Sequence, residues 1–260
     1  MTDPLPAEFA DALDRVGPQL PPLGRRVLFF HTTASTNDVA LALAAEGDRE
    51  GTIVLADQQT AGRGRLGRAW HSPAGSGLYV SLVLRPARVP GLMTLAAGVA
   101  LAEAVEAATA LPPDIKWPND LLVGRRKLAG ILAETAPGDV PQVVVGYGIN
   151  VGKQAFPPDL GARATSLESE LGREVDRAAL CAATLAAIAR RYRDLGDGRF
   201  DAILDAWRAR SPSSRGARVT WRVPAGQQFG VTEGIDADGA LLVRVGDAVE
   251  RIVGGEVIWL

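Results

Sequence analysis

Three arginines alternate with glycines in the run Gly62-Arg63-Gly64-Arg65-Leu66-Gly67-Arg68. Arginine forks grip phosphate oxygens in pairs, and glycines let a ligand approach the backbone, so a flexible loop of this kind suits a polyanion. A solvated basic turn is the plainer alternative. The run satisfies G-x-G-x-x-G and follows a strand, but the dinucleotide fingerprint needs a helix opening at its third glycine. Here Ala69-Trp70-His71-Ser72-Pro73-Ala74-Gly75 follows and breaks helices, so that reading is rejected. A Walker loop is rejected too, because its Gly-Lys-Ser/Thr ending is absent.

A second constellation is Lys116-Trp117-Pro118-Asn119-Asp120, with Arg126-Lys127-Leu128-Ala129-Gly130 shortly after it. Pro118 fixes a turn from which Asn119 and Asp120 offer polar groups; alone, this is also an ordinary turn. The basic residues number 28, yet the lysines are only Lys116, Lys127 and Lys153. A retained lysine in an arginine-rich chain suggests a need for a compact ammonium, and two of the three fall in these motifs. Gly146-Tyr147-Gly148-Ile149-Asn150 ends a buried strand, where glycines admit a ligand or simply make a bulge. Ser35-Thr36-Asn37 caps a helix, or offers hydroxyls and an amide to a small polar ring.

Positioning these groups requires an alternation of helices and strands. Helical spacing is expected over Ala7–Val16, from Ser35 or Thr36 to Gly47, over Met93–Ala108, Arg177–Leu195 and Phe200–Arg210. Strands are expected at Val27–His31, Thr52–Ala56, Leu78–Leu84, Ile115–Trp117, Leu121–Val123, Leu128–Glu134 and Val143–Val145. Gln58–Gly77 reads as a loop. After the linker Ser211–Arg215, short strands with turns dominate from Arg218 and suit a small barrel. The expected division is 1–213 for a catalytic domain and 214–260 for the attachment.

Composition narrows the functions. The net charge of −2 argues against bulk electrostatic binding to nucleic acid or anionic membrane. Cys181 is the single cysteine, which excludes an internal disulfide and a cysteine-rich zinc site; in its apolar run it reads as a packed helix residue. Neither a signal peptide nor a membrane-spanning stretch is visible, so a cytoplasmic protein is expected, with no membrane partner.

Jointly, Ser35-Thr36-Asn37, Gln59–Arg68 with Trp70, Lys116–Asp120, Lys127–Gly130 and Gly146–Val151 resemble the biotin–protein ligases in order and spacing. The tail Gly234–Val257 looks like that family's C-terminal barrel. The resemblance implies an α/β (α+β) fold: a mixed sheet like that of class II aminoacyl-tRNA synthetases, with helices on one face, plus a small SH3-like β-barrel. It implies that Ser35, Thr36, Asn37 and Gln59 hold biotin's ureido ring, with Tyr79, Ser81, Leu132, Gly146 and Gly148 around ring and chain. Gly62, Arg63, Gly64 and Arg65 would close over the adenylate. Lys127, with Arg63 and Arg65, would carry the chemistry. Arg68, Trp70, Lys116, Asn119, Asp120 and Asn150 would serve ATP, Trp70 by stacking near adenine. Asp120 is the candidate for helping to hold Mg²⁺.

The implied reaction has two steps. Biotin's carboxylate attacks the α-phosphorus of ATP, giving biotinyl-5′-AMP and pyrophosphate. A lysine of a biotin carboxyl carrier protein then displaces AMP. Some relatives carry an N-terminal winged helix and double as repressors. The segment ahead of Ser35 is too short for one, so the enzyme alone is expected, without DNA binding. A homodimer is an expectation from the family. The rival readings are a lipoate or octanoate ligase of the same superfamily and a non-catalytic biotin sensor.

Overall fold

A computed structural model describes residues 2–86, 91–136, 142–153, 156–224 and 226–260. The helices are α1 (Ala7–Val16), α2 (Thr36–Ala45), α3 (Met93–Thr109), the short α4 (Pro158–Gly161) and α5 (Leu167–Leu171), α6 (Arg177–Gly196) and α7 (Phe200–Ala209). The first sheet contains β1 (Arg26–Thr33), β2 (Thr52–Gln59), β3 (Gly77–Leu84), β4 (Asp114–Lys116), β5 (Asp120–Val123), β6 (Arg126–Ala136) and β7 (Gln142–Asn150). The second contains β8 (Arg215–Val223), β9 (Gly226–Ile235), β10 (Leu241–Val245), β11 (Ala248–Ile252) and β12 (Val257–Trp259).

The first sheet has the order β1-β2-β3-β7-β6-β5-β4, parallel at β1–β2 and antiparallel elsewhere. It is therefore mixed, as expected. Its central strands are apolar on both sides: every residue of β3 and of β7 is buried. Such strands need cover on both faces. Accordingly Ile53, Leu55, Leu82 and Leu84 join the core formed with α1, α3 and α6, while Val54, Val83 and Val144 pack under α2. The expectation of helices on one face is thus corrected, because α2 occupies the other. Strand β3, whose sequence reads as an alternating strand, is buried on both faces.

The glycines of Gly146-Tyr147-Gly148 lie inside β7 rather than beyond its end. The short helices α4 and α5 and the last strand β12 escape a reading by periodicity, being one or two turns long or only three residues. The second sheet, of order β11-β10-β9-β8-β12, is wholly antiparallel. It is tied to the first by Trp117, whose indole N–H donates to the Gly239 carbonyl at 3.0 Å. Among the described residues no helix is long and apolar enough to cross a membrane. Cys181 is buried in α6, and burial pushes its thiol up to about 12, with Arg177 opposing, which suits a packing residue rather than a nucleophile.

Candidate active site

The α2 face of the first sheet carries the site, and cross-strand register explains how. Gly130 pairs with Gly148 and Gly148 with Tyr79; two residues along, Leu132 pairs with Gly146 and Gly146 with Ser81. Residues opposite one another share a face, so these two rows project together. Lys127 ought to point away from Gly130, three positions on. The β5–β6 register, however, shifts between Leu121, opposite Ala129, and Leu122, opposite Lys127. The extra residue on β6 is a β-bulge, and it turns Lys127 onto the face of Gly130 and Asp120. The Lys127 ammonium lies 2.6 Å from the Asp120 carboxylate and 5.3 Å from the Trp70 ring centroid.

One end of the cavity is lined mainly by hydroxyls and amides. Ser35 caps α2, its hydroxyl accepting from the Asp38 N–H. The Thr36 N–H and hydroxyl both donate to Gln59 Oε1, at 2.8 and 3.1 Å. Gln59 Nε2 donates to Ser72 Oγ at 2.9 Å, and Ser72 donates on to the Trp70 carbonyl. Ser81 lies behind this shell, 2.6 Å from Asn37 Oδ1 and 2.8 Å from Thr36 Oγ1. A hydroxyl carries one proton, and the oxygens here outnumber the protons between them, so this end favours a ligand that brings N–H donors.

The other end is cationic. Arg65 donates to Asn119 Oδ1 at 3.2 Å, and burial pulls its guanidinium below its ordinary value, Asp120 opposing and Arg68 adding. Lys116 faces Asp120 across the β4–β5 pair and lies 4.7 Å from the Trp259 ring. Burial lowers Lys116 too; Asp120 and Glu256 oppose this, while Lys127 and Arg68 reinforce it. Low dielectric and clustered positive charge are what a bound anion would relieve.

The arginine segment differs from the flexible loop expected. The Trp70 N–H donates to the Gly62 carbonyl at 2.8 Å, the Gly64 N–H to the Arg68 carbonyl at 2.7 Å, and Arg63 bridges Ala69. The segment is a tight hairpin with a 3₁₀ turn over Arg65–Gly67. A side chain on Gly62 would meet the Trp70 carbonyl at 2.5 Å, which is why its base is glycine. Its three guanidiniums go to different places: Arg63 pairs with Asp38 and Glu134, Arg65 with Asn119, and Arg68 with Glu256 of the second sheet. Only Arg65 stays beside Lys127 and Asp120.

Other expected residues are also redistributed. Gly146 and Gly148 do make room, but for side chains: a Cβ would lie 1.8 Å from Asn37 Oδ1 at Gly146 and 2.2 Å from Trp70 Nε1 at Gly148. Tyr79 is buried, its hydroxyl donating to the Pro73 carbonyl. Asn150 Nδ2 donates to the Thr165 carbonyl at 3.0 Å and lies 3.5 Å from that of Lys127, so it braces the backbone of Lys127. The Lys127 backbone is held further by its N–H to Arg163 and by the N–H of Thr165 to its carbonyl. Ser35, Thr36, Asn37, Gln59, Arg63, Gly64, Arg65, Trp70, Asn119, Lys127, Leu132, Gly146 and Gly148 line the cavity together with Gly130, Ile131 and Tyr147. Sequence reasoning missed Asp38, Ser72 and Glu134, none of which stands in a motif that separates it from an ordinary surface residue.

Among the described residues no group of three or more His, Cys, Asp or Glu side chains could hold a metal ion. Asp120 stands amid Lys127, Lys116 and Arg65, and the next carboxylate, Glu256, is taken by Arg68. That suits Mg²⁺ arriving on a nucleotide, held by phosphates and water with at most one protein carboxylate, and does not suit a resident metal.

Two family profiles match the chain: "Biotin/lipoate A/B protein ligase family" over residues 29–150 and "Biotin protein ligase C terminal domain" over residues 216–259. Among similar proteins, the bifunctional ligase/repressor BirA of Bacillus subtilis is 36% identical, the match covering 97% of this chain and 79% of the relative. The biotin–[acetyl-CoA-carboxylase] ligase of Mycobacterium tuberculosis is 38% identical over 88% of this chain and 86% of the relative. The structure of the biotin protein ligase from Aquifex aeolicus in complex with biotin and ATP superposes with a TM-score of 0.80, at 28% identity, over 91% of this chain and 99% of that one. With both profiles falling on the two sheets and identity sustained over most of each relative's length, the chain belongs to the biotin protein ligase family.

Proposed function

We propose that this chain activates biotin with ATP as biotinyl-5′-AMP and transfers it to a lysine of a biotin carboxyl carrier protein. One observation carries the reading: the bulge in β6 sets the Lys127 ammonium on Asp120, which Arg65 also feels, in a cavity that also holds a cradle of hydroxyls and amides. The cradle of Thr36, Asn37 and Gln59 takes the ureido ring. The chain of biotin then lies over Gly130 and Gly148, where Trp70 now rests. The free space is only about 40 Å³, so ring and nucleotide enter as Trp70 swings off these glycines.

In the first step two anions must meet, the carboxylate of biotin and the α-phosphate of ATP. Lys127, once Asp120 gives it up, and Arg65 offset that repulsion by setting positive charge where negative charge develops. Mg²⁺ carried on ATP would supply charge neutralisation at the pyrophosphate, with Asp120 the residue placed to hold it. Lys116 and Arg68 line the route to the second sheet and serve the phosphates. Asp120 releases Lys127 to the substrates and holds at most one position of the metal. In the second step the acceptor amine attacks the mixed anhydride and AMP leaves. Residues 1–213 carry both steps, and 214–260 brace the hairpin through Arg68 and Glu256.

The test is pyrophosphate exchange with biotin, lipoate and octanoate as alternative acids. Exchange with biotin alone is expected. Exchange driven only by lipoate or octanoate would reassign the substrate, and none with any acid would end the enzymatic reading. Arg65→Gly should raise the escape of biotinyl-AMP about tenfold, the loss of one charge-assisted contact. Off-rates equal to those of the unmodified chain would remove Arg65 from adenylate retention.

A further inference from the structure

We propose that Glu134 is a positioning residue that sets the donor–acceptor polarity of the ring cradle and anchors the arginine hairpin to it. The inference rests on the biotin reading above and adds a residue outside every motif that led to it. Glu134 Oε2 accepts from Asn37 Nδ2 at 2.8 Å and from Arg63 Nη2 at 2.7 Å, while Oε1 accepts from Arg63 Nη1 at 3.0 Å. Arg63 is completed by Asp38, 2.8 Å from its Nε. One carboxylate therefore joins a pocket amide to the hairpin that closes the pocket.

The chemistry of the carboxylate gives the junction a direction. An ionised carboxylate accepts and never donates, so the Asn37 amide must turn its NH₂ toward Glu134. Its oxygen is thereby held toward Gly146, where the missing side chain leaves room for it and Ser81 supplies a proton. Asn37 consequently presents an acceptor to the cavity, the orientation that recognises a ring N–H. A glutamine at 134 breaks this logic. Its oxygen would stay with the Arg63 fork and its NH₂ would face Asn37, driving that amide to flip and present a donor instead.

Glu134→Gln separates this role from mere support. The Michaelis constant for biotin should rise about tenfold, the size expected for losing one hydrogen bond between neutral groups, while kcat for pyrophosphate release stays within about threefold. The discriminating readout is an analogue with one ring N–H replaced by oxygen. The unmodified chain should prefer biotin to it by about tenfold or more, and Glu134→Gln should compress that preference. Unchanged discrimination in a variant with the normal melting temperature would overturn the polarity role. A ligand-free measurement covers the anchor: hydrogen exchange at the Trp70 amide should accelerate in Glu134→Gln and in Asp38→Asn, and unchanged exchange in both overturns it. Absence of biotin-dependent pyrophosphate release by the unmodified chain would instead count against the proposed function, leaving the exchange result to judge the anchor.

Discussion

At the ring end of the cavity, Thr36, Asn37, Gln59 and Ser81 satisfy one another through hydrogen bonds, whereas the charged end gathers Arg65, Lys116 and Lys127 around the single carboxylate of Asp120. The first end is finished by folding: its amides and hydroxyls are oriented before any ligand arrives, so binding costs little ordering. The second end is left electrostatically incomplete. Burial disfavours the charged forms of Arg65 and Lys116, with Asp120 opposing, and in the proposed reading an entering anion relieves that cost. In the proposed reading the difference assigns affinity and rate to separate residues on one sheet face.

That separation can be broken most forcefully at Lys127. Lys127→Ala should raise the barrier to adenylation by about 2–4 kcal/mol, typical of removing one preorganised electrostatic group, while biotin affinity measured by calorimetry moves far less. An equal collapse of biotin binding would show that the two ends act as one unit. Gly148→Ala probes the slot between them. Its Cβ would come within 2.2 Å of the Trp70 indole nitrogen, so a loss of about 1–3 kcal/mol in urea unfolding is expected. A midpoint like that of the unmodified chain would mean that Trp70 is not packed there in solution.

Ser81→Ala sharpens the ring end. It removes the proton donated to Asn37 Oδ1, and about 1 kcal/mol should be lost as a higher Michaelis constant for biotin with kcat nearly unchanged. A fall in kcat instead would place Ser81 with the charged end. The smallest effect is expected at Lys116. Its ammonium lies below the ordinary lysine value of 10.5 through burial, so the folded chain bears a cost for the charged form below that lowered value. The cost fades as pH rises from there toward the ordinary value. Lys116→Met should therefore melt slightly higher at neutral pH, with the advantage shrinking at alkaline pH, and bind ATP more weakly. A gain independent of pH would assign the effect to packing.

Much of the site was legible because the signals are local. The Ser35 cap, the turn at Pro118, the buried strand before Gly146 and the scarcity of lysine each depend on a few neighbouring residues. The arginine run was legible as chemistry but not as geometry. Its charges suggested a flexible phosphate loop; the segment is a hairpin, and only side-chain partners far away in sequence decide that a single arginine is left beside Asp120.

From the sequence alone came the family, the mixed α/β class with a β-rich tail, and the identity of most cavity residues, since short-range spacing and residue type carry those. Tertiary structure alone decided which way they face. The bulge that rotates Lys127 exists only against β5, and the Asn37 amide nitrogen is met by the Glu134 carboxylate and the Leu132 carbonyl, 97 and 95 positions away. A strand's faces and an amide's two ends are equivalent until a neighbour across the sheet distinguishes them, and no local pattern contains that neighbour.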